Sequence, residues 1–139
     1  MKLQLNQLRL CAGSPLYELL LLGFELIGTG SEHIYARSRQ EKEHSLSNPR
    51  NIESLGNKAL LEKRINIRAS DYRFSDKVKY YTGFENNRKQ RKEGTKIEEL
   101  TVLAATATDF TESDIVERNA KIIFNFIEFM HSNDLLCED

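Results

Sequence analysis

Two short segments carry the strongest signal in this chain of 139 residues. The first reads EHIYARS at residues 32–38, and the second reads LGNKALL at residues 55–61. Residues 32–37 predict a short strand, residues 57–61 predict a second strand, and a helical pattern begins at Asn66. The local order predicted around these segments is therefore strand, loop, strand, helix.

The residue types in and after these segments suit hydrolysis of a phosphodiester. That reaction needs a base for the attacking water and a cation that neutralises charge on the phosphate. Glu32 offers a carboxylate and Asn66 an amide oxygen, the hard oxygen ligands that Mg²⁺ accepts from protein, and His33 is the candidate base. Neighbouring residues of a regular strand point to opposite faces, so Glu32 and His33 share one site only if the strand ends or bulges there.

At these residues the chain resembles the HNH, or ββα-metal, endonucleases, and most closely the C-terminal nuclease domain of GmrSD-type modification-dependent restriction enzymes. That family shows Glu-His-Ile-x-Pro, Leu-Gly-Asn-Leu-x-Leu-Leu, a later Asn and Phe-x-x-Lys-x-x-Tyr, which Phe74, Lys77 and Tyr80 match here. The HNH domain of type II CRISPR effectors is similar in motif order and spacing. With the segment FTESDIVER at residues 110–118, the resemblance covers roughly residues 31–130.

The resemblance implies an α+β fold with a small ββα-metal (HNH) core and additional α-helices. It implies a metal-dependent endonuclease that cuts DNA, leaving a 5′-phosphate and a 3′-hydroxyl, in defence against foreign or modified DNA. His33 would be the general base, and Glu32 and Asn66 would bind one divalent ion, Mg²⁺ or Mn²⁺. Asn57 would brace the loop and hold the histidine in place. The alternative is that His33 is a strand histidine and that both asparagines are turn or cap residues.

The distribution of charge allows either a polyanionic partner or a solvated middle segment, and its overlap with Glu32, His33, Asn57 and Asn66 favours nucleic acid. Residues 37–96 hold 16 of the 20 Lys and Arg residues and carry a net charge of +8, whereas residues 97–139 carry −8. Lys77 matches a family lysine and is expected to contact phosphate, with a solvated helix lysine as the alternative. Further candidate DNA contacts, each with a solvated surface as the alternative, are Arg37, Lys58, Arg88, Lys89, Arg91 and Lys92.

The chain departs from the family pattern at two positions. Ala36 stands where the family has proline, which predicts a looser turn, and Lys58 stands where it has an apolar residue. The 139 residues contain no Gly-rich phosphate loop. The expected alternatives are a stand-alone nuclease, a subunit that has a separate nucleotide-hydrolysing or targeting subunit as its partner, and a fragment. These departures keep open a second function, a non-catalytic nucleic-acid-binding or adaptor subunit on a degenerate HNH scaffold.

A competing motif lies in the first connection. Arg39 and His44 have four residues between them, which matches the Arg-x₄₋₆-His pattern of HEPN ribonucleases. That pattern requires a helix within a four-helix arrangement, whereas the polar composition of residues 38–54 predicts a loop.

Composition is that of an ordinary globular protein, with 40% hydrophobic and 29% charged residues. We expect residues 1–30 to pack as an extension on a nuclease domain at residues 31–139, in a single domain overall. Cys11 and Cys137 lack zinc-site spacing. The apolar run at residues 16–27 is too short and interrupted to span a bilayer, and a cytoplasmic location is expected.

The remaining pattern predicts further elements. A strand is expected at residues 2–10, a helix or buried strand at 16–24, a turn at 28–31 and a charged loop or solvated helix end at 85–96. Phe74, Val78 and Tyr81 mark one helix that starts at Ser70 or Asp71, and residues 97–107 mark another. A last helix follows a capping box at Thr111 and Asp114, with a predicted buried stripe of Ile115, Ile122, Ile123, Phe126, Ile127 and Met130.

Overall fold

The computed structural model describes residues 29–135, so the predictions for residues 1–28 and for Cys137 lie outside the described residues. The described part contains four short strands and five α-helices, which confirms the predicted α+β class. In chain order these are β1 (Thr29–His33), α1 (Arg37–Glu43), β2 (Lys58–Glu62), α2 (Lys63–Ala69), α3 (Phe74–Thr82), β3 (Gly83–Glu85), β4 (Arg91–Glu93), α4 (Glu98–Thr106) and α5 (Glu112–Ser132). Two 3₁₀ turns, Pro49–Glu53 and Leu55–Asn57, precede β2. No helix within residues 29–135 is both long and apolar enough to cross a membrane.

The strands β1 and β2 form an antiparallel hairpin whose register assigns each side chain to a face. Glu32 pairs with Ala59 and His33 pairs with Lys58, and directly opposed residues point to the same side of a sheet. The inner face thus carries Gly30, Glu32, Ala59 and Leu61, and the outer face carries Ser31, His33, Lys58 and Leu60. Because α2 begins at the residue after β2, the local order is the predicted strand, connection, strand, helix.

The hydrophobic core lies on the inner face of this hairpin. Leu61 of β2 packs in one cluster with Phe74 and Tyr81 of α3, Leu100 of α4 and Ile115 of α5. The helical spacing of Phe74 and Tyr81 predicts this shared face, and both side chains are fully buried. The core therefore fixes α3 against the end of β1, where the candidate site lies.

A glycine lets α5 approach the turn before β2. A Cβ added at Gly56 would lie 2.0 Å from the carbonyl oxygen of Ile115 and 2.8 Å from the backbone nitrogen of Asn119. Arg118 of α5 uses Nη1 to donate to three carbonyls of this region, those of Leu55, Gly56 and Lys58. The close approach requires a residue without a side chain at position 56.

Helix α5 agrees with its predicted start and, in part, with its predicted stripe. At the predicted capping box, the Asp114 carboxylate accepts from the amide and from the hydroxyl of Thr111. Ile115, Ile127 and Met130 are buried, while the other three predicted positions are half-buried. The buried stripe of α5 is thus narrower than the sequence predicts.

Several predicted boundaries are wrong. Residues 29–31 belong to β1 and not to a turn. The Ile34 amide still donates to the carbonyl of Asn57, but β1 ends at His33 because the Asn57 amide donates to the carbonyl of Ser54 and not back to β1. The expected loop at 38–54 contains α1 and a 3₁₀ turn. The expected single helix after Asn66 is two helices, α2 and α3, and neither starts at the predicted residues. Residues 83–93 form a β3–β4 hairpin whose turn is organised by the side chain of Asn86.

Candidate active site

The strand β1 separates the two predicted site residues at its end. The ladder continues regularly through the pair His33–Lys58, so the pleat directs Glu32 inward and His33 outward. The bulge that would bring both side chains to one side is not present in β1. The candidate site therefore has two parts, one on each face of the hairpin.

On the inner face, one carboxylate oxygen of Glu32 accepts two hydrogen bonds. Its Oε1 accepts from Lys77 Nζ at 2.6 Å and from the Tyr81 hydroxyl at 2.7 Å. Lys77 Nζ also donates to the carbonyl oxygen of His33 at 2.6 Å. Glu32 and Lys77 are 2% and 1% exposed, and such burial is tolerated because each charge is paired. Burial, followed by the charge of Glu32, raises the pKa of Tyr81, so its hydroxyl remains a donor.

The placement of Lys77 disagrees with both interpretations of its sequence position. A phosphate contact and a solvated lysine each require an ammonium group at the surface, whereas Lys77 Nζ lies inside and bonds to Glu32 and to the His33 carbonyl. The lysine instead ties α3 to the last two residues of β1. This tie is the physical reason why Lys77 is a structural residue here.

On the outer face, four side chains form what we call the outer cluster: His33, Arg37, Glu53 and Lys58. Arg37 donates to Glu53 Oε1 from Nε at 3.0 Å and from Nη2 at 2.6 Å. Lys58 Nζ lies 2.8 Å from Glu53 Oε2. His33 Nε2 lies 3.4 Å from each carboxylate oxygen of Glu53. Hydrogen bonds from Lys58 and then Arg37 lower the pKa of Glu53 to about 2, so this carboxylate is ionised at physiological pH.

Asn57 holds the chain on both sides of the outer cluster. Its Oδ1 accepts from the amide of Tyr35 at 2.7 Å, and its Nδ2 donates to the carbonyls of Tyr35 and Ile52 at 3.0 and 2.9 Å. Its own carbonyl accepts from the amide of Ile34. Asn57 is fully buried and so fixes both the residues after His33 and the turn that carries Glu53. These contacts are of the kind that the resemblance implies for a loop-bracing asparagine.

Ala36, which stands where the family has proline, has a backbone conformation that proline also adopts. Its backbone has φ −68° and ψ 138°, and −68° is within the range that a proline ring imposes. The side chain is buried, and the residue forms the N-cap of α1. The backbone of Ala36 thus matches the one that proline would impose, and the looser turn stays a prediction.

Asn66 approaches β1 from α2 on the side of the inner face. Its Nδ2 lies 3.3 Å from the Ser31 carbonyl oxygen, and a Cβ added at Gly30 would lie 2.9 Å from the same nitrogen. Gly30 and Glu32 share the inner face, so the Asn66 amide lies on the same face of β1 as the Glu32 side chain. The absence of a side chain at Gly30 leaves space for the amide.

The donor chemistry on this side suits an oxygen-liganded divalent cation. Asn66 Oδ1 and Glu32 Oε2 make no hydrogen bond within residues 29–135, since the bonds of both side chains use their other atoms. Mg²⁺ accepts one or two protein oxygens and keeps water for the rest. Within the same described range, no three His, Cys, Asp or Glu side chains are grouped to hold a metal. Glu32 Oε2 and Asn66 Oδ1 are thus the two oxygens that this side offers to such a cation.

The other predicted DNA contacts lie on the β3–β4 hairpin. Arg88 and Lys92 line a groove along this hairpin, and Arg91 and Lys92 line another groove together with Arg64 of α2. Lys89 adopts a left-handed backbone at the turn, with φ 56°. The residues that line these two grooves do not include His33 or Asn66.

Glu53 is a site residue that the sequence does not reveal. It lies 20 residues from His33 in a polar segment, and no motif includes it. The Arg39–His44 pattern is present in the sequence but does not form a pair of free polar groups. Arg39 donates to both carboxylate oxygens of Asp109 and lies over the ring of Tyr35, while His44 is the exposed C-cap of α1.

Comparison with known proteins identifies the family. The family described as GmrSD restriction endonucleases, C-terminal domain, matches residues 14–124, and the chain belongs to it. The chain is therefore a restriction endonuclease-type nuclease domain. The match includes both faces of the β1–β2 hairpin, α1 to α4 and the first part of α5. No curated protein and no solved structure gave a match.

Proposed function

We propose that this domain is an HNH-type, metal-dependent endonuclease that hydrolyses DNA phosphodiester bonds in defence against foreign or modified DNA. Family membership supports a nuclease domain, and the order strand, connection, strand, helix supports the HNH type. The observation that carries the proposal is the buried Asn57, whose contacts fix the backbone directly after His33. A histidine held in this way, with its side chain 18% exposed, is prepared to act on a bound substrate.

Each site residue has a proposed role. His33 accepts the proton of the attacking water as general base. Asn66 and Glu32 hold Mg²⁺ or Mn²⁺, with Glu32 contributing the oxygen that Lys77 and Tyr81 leave unused. When bound, the cation neutralises charge that develops on the phosphate and the leaving oxygen. Asn57 acts through His33 as a positioning residue.

The surface charges have a proposed role in binding the DNA backbone. The four cations of the β3–β4 hairpin are exposed or partly exposed, and cations on an extended strand pair can follow a phosphate backbone. These are Arg88, Lys89, Arg91 and Lys92. A separate nucleotide-hydrolysing or targeting subunit is the proposed partner, and the cytoplasm is the proposed location.

The direct test is nicking of supercoiled plasmid by the full chain. Incubation with Mg²⁺ or Mn²⁺ at several salt concentrations is compared with incubation in chelator, since phosphate contacts weaken steeply with salt. We expect nicking that requires the metal and that Asn66→Ala shifts to higher metal concentration. Asn125→Ala, at an exposed asparagine of α5 away from the proposed DNA contacts, is the matched control and is expected to behave as wild type. Absence of nicking under every condition would refute a nuclease that acts alone.

One observation favours the alternative, a non-catalytic nucleic-acid-binding or adaptor subunit. Glu32 and His33 face opposite sides of the hairpin, and Lys77 already neutralises Glu32. This alternative predicts a gel shift with DNA that His33→Ala leaves unchanged, together with no cleavage in any divalent metal. The nuclease proposal predicts metal-dependent cleavage by the wild type and loss of this cleavage in His33→Ala.

A further inference from the structure

The outer cluster resembles an anion-binding site in which the Glu53 carboxylate takes the place of the bound anion. Three basic side chains approach Glu53 from different parts of the chain: Arg37 from α1, Lys58 from β2 and His33 from β1. Both carboxylate oxygens are contacted, Oε1 by the guanidinium and Oε2 by the ammonium group. Such a set of donors binds a phosphate by the same charge-assisted hydrogen bonds.

Glu53 is held at the surface, in contrast to the buried Glu32. Its side chain is 47% exposed and lies at the end of a 3₁₀ turn that contributes no buried residue. Exposed ion pairs of this kind are weak, because water and salt compete for both partners. The Glu53 carboxylate can therefore be displaced by a stronger anion without opening the core.

The position of the carboxylate gives this anion site a relation to the proposed chemistry. Both oxygens of Glu53 lie 3.4 Å from His33 Nε2. An anion that replaced Glu53 would lie beside the imidazole that we assign as general base. Exchange of one carboxylate for one phosphodiester also keeps the cluster's charge unchanged, so Arg37 and Lys58 retain an anionic partner.

We propose that His33, Arg37 and Lys58 form a binding site for a backbone phosphate of DNA, and that Glu53 occupies this site until DNA displaces it. The inference rests on the proposed function, because it takes DNA as the substrate and His33 as the reacting side chain. It adds a named phosphate site and an internal competitor for that site. Glu53 thus opposes DNA binding although it lies among basic residues.

The test is the affinity for a short DNA duplex, measured by fluorescence anisotropy in chelator, so that no cleavage can occur. Glu53→Gln removes the competing charge and is expected to tighten binding about tenfold. Glu41→Gln makes the same charge change at an exposed residue of α1 that forms no ion pair within the described residues. This control is expected to change affinity less than about twofold, since its charge is solvated.

Two further variants test the cations. Arg37→Ala and Lys58→Ala are each expected to weaken binding several-fold and to reduce the gain from Glu53→Gln when combined with it. Thermal unfolding of every variant reports whether the fold is kept. The proposal is overturned if Glu53→Gln and Glu41→Gln have equal effects, if Glu53→Gln weakens binding, or if neither wild type nor Glu53→Gln binds DNA.

The outcome is separable from that of the proposed function. Tighter binding by Glu53→Gln without nicking in any metal would support the phosphate site and refute the independent nuclease. Nicking by wild type with no specific effect of Glu53→Gln would support the nuclease and refute the competitor role of Glu53.

Discussion

Charged side chains are buried on the inner face of the β1–β2 hairpin and exposed on its outer face. On the inner face, Glu32 and Lys77 are almost fully buried and bonded to each other, and the pair also bonds to a tyrosine hydroxyl and a backbone carbonyl. On the outer face, Arg37 and Glu53 are about half exposed, and three basic groups share a single carboxylate. Two residues adjacent in sequence, Glu32 and His33, thus belong to different environments.

This difference indicates a division of roles across one strand. A buried pair cannot be broken without leaving an unpaired charge in the core, so the Glu32–Lys77 pair on the inner face stabilises the fold. An exposed cluster exchanges its partners with water and ions at small cost, so the outer face is suited to binding a substrate. The following predictions test this division, beginning with the largest expected effect.

Loss of the buried lysine should have the largest effect on stability. Lys77→Met removes the partner of Glu32 and leaves a buried carboxylate, which should lower the free energy of unfolding by about 3–5 kcal/mol. Urea unfolding followed by circular dichroism measures this. Lys79→Met, an exposed lysine of the same helix, is the control and should lose less than about 1 kcal/mol. Equal losses in the two variants would show that the inner pair does not hold the fold.

Loss of the bracing asparagine should rank second. Asn57→Ala leaves the amide and carbonyl of Tyr35 and the carbonyl of Ile52 without partners, which should lower the free energy of unfolding by about 3 kcal/mol. The same urea titration measures it, with Asn87→Ala as the exposed control. An Asn57→Ala variant as stable as that control would contradict the bracing role.

Loss of one hydroxyl on the inner face should have a smaller effect. Tyr81→Phe keeps the ring in the core but removes the hydrogen bond to Glu32, so about 2 kcal/mol of stability should be lost. Tyr80→Phe on the same helix is the comparison, since Tyr80 is only half-buried and its hydroxyl makes no hydrogen bond within residues 29–135. The prediction fails if Tyr81→Phe is no less stable than Tyr80→Phe.

Changes on the outer face should have the smallest effect on stability. Arg37→Ala removes an exposed guanidinium and should leave the thermal midpoint close to that of wild type, because solvated ion pairs contribute little. The same variant should weaken DNA binding, which distinguishes a binding residue from a structural one. A large fall in the thermal midpoint would show that the outer cluster stabilises the fold, as the Glu32–Lys77 pair does.

The sequence predicts a helix or strand of this fold well only where apolar residues recur at the spacing of that element. Helix α5 is predictable from its capping box, and β2 and α4 from their apolar positions. Helix α1 has no buried residue, and it is fixed by Asp71 and Asp109, which lie far along the chain. The β3–β4 hairpin consists largely of charged residues, so no alternation reveals it.

The candidate site is predictable in its residues but not in its partners. The pleat of a strand predicts that Glu32 and His33 separate, and the regular register of β1 agrees with this. The burial of Lys77 has a sequence signal, because it lies at helical spacing between Phe74 and Tyr81 on the core face of α3. Glu53 has none, since its approach to His33 depends on how the 3₁₀ turn folds onto β1.

The central claim, that His33 on the outer face is the general base, is tested most directly by the nicking rate of His33→Ala. His131→Ala, an exposed histidine in the last turn of α5, is the matched control. With both variants shown to be folded and Mg²⁺ or Mn²⁺ in excess, we expect His131→Ala to nick plasmid at the wild-type rate. His33→Ala should be at least about 100-fold slower, because it lacks the general base. Equal nicking rates for the two variants would contradict the account.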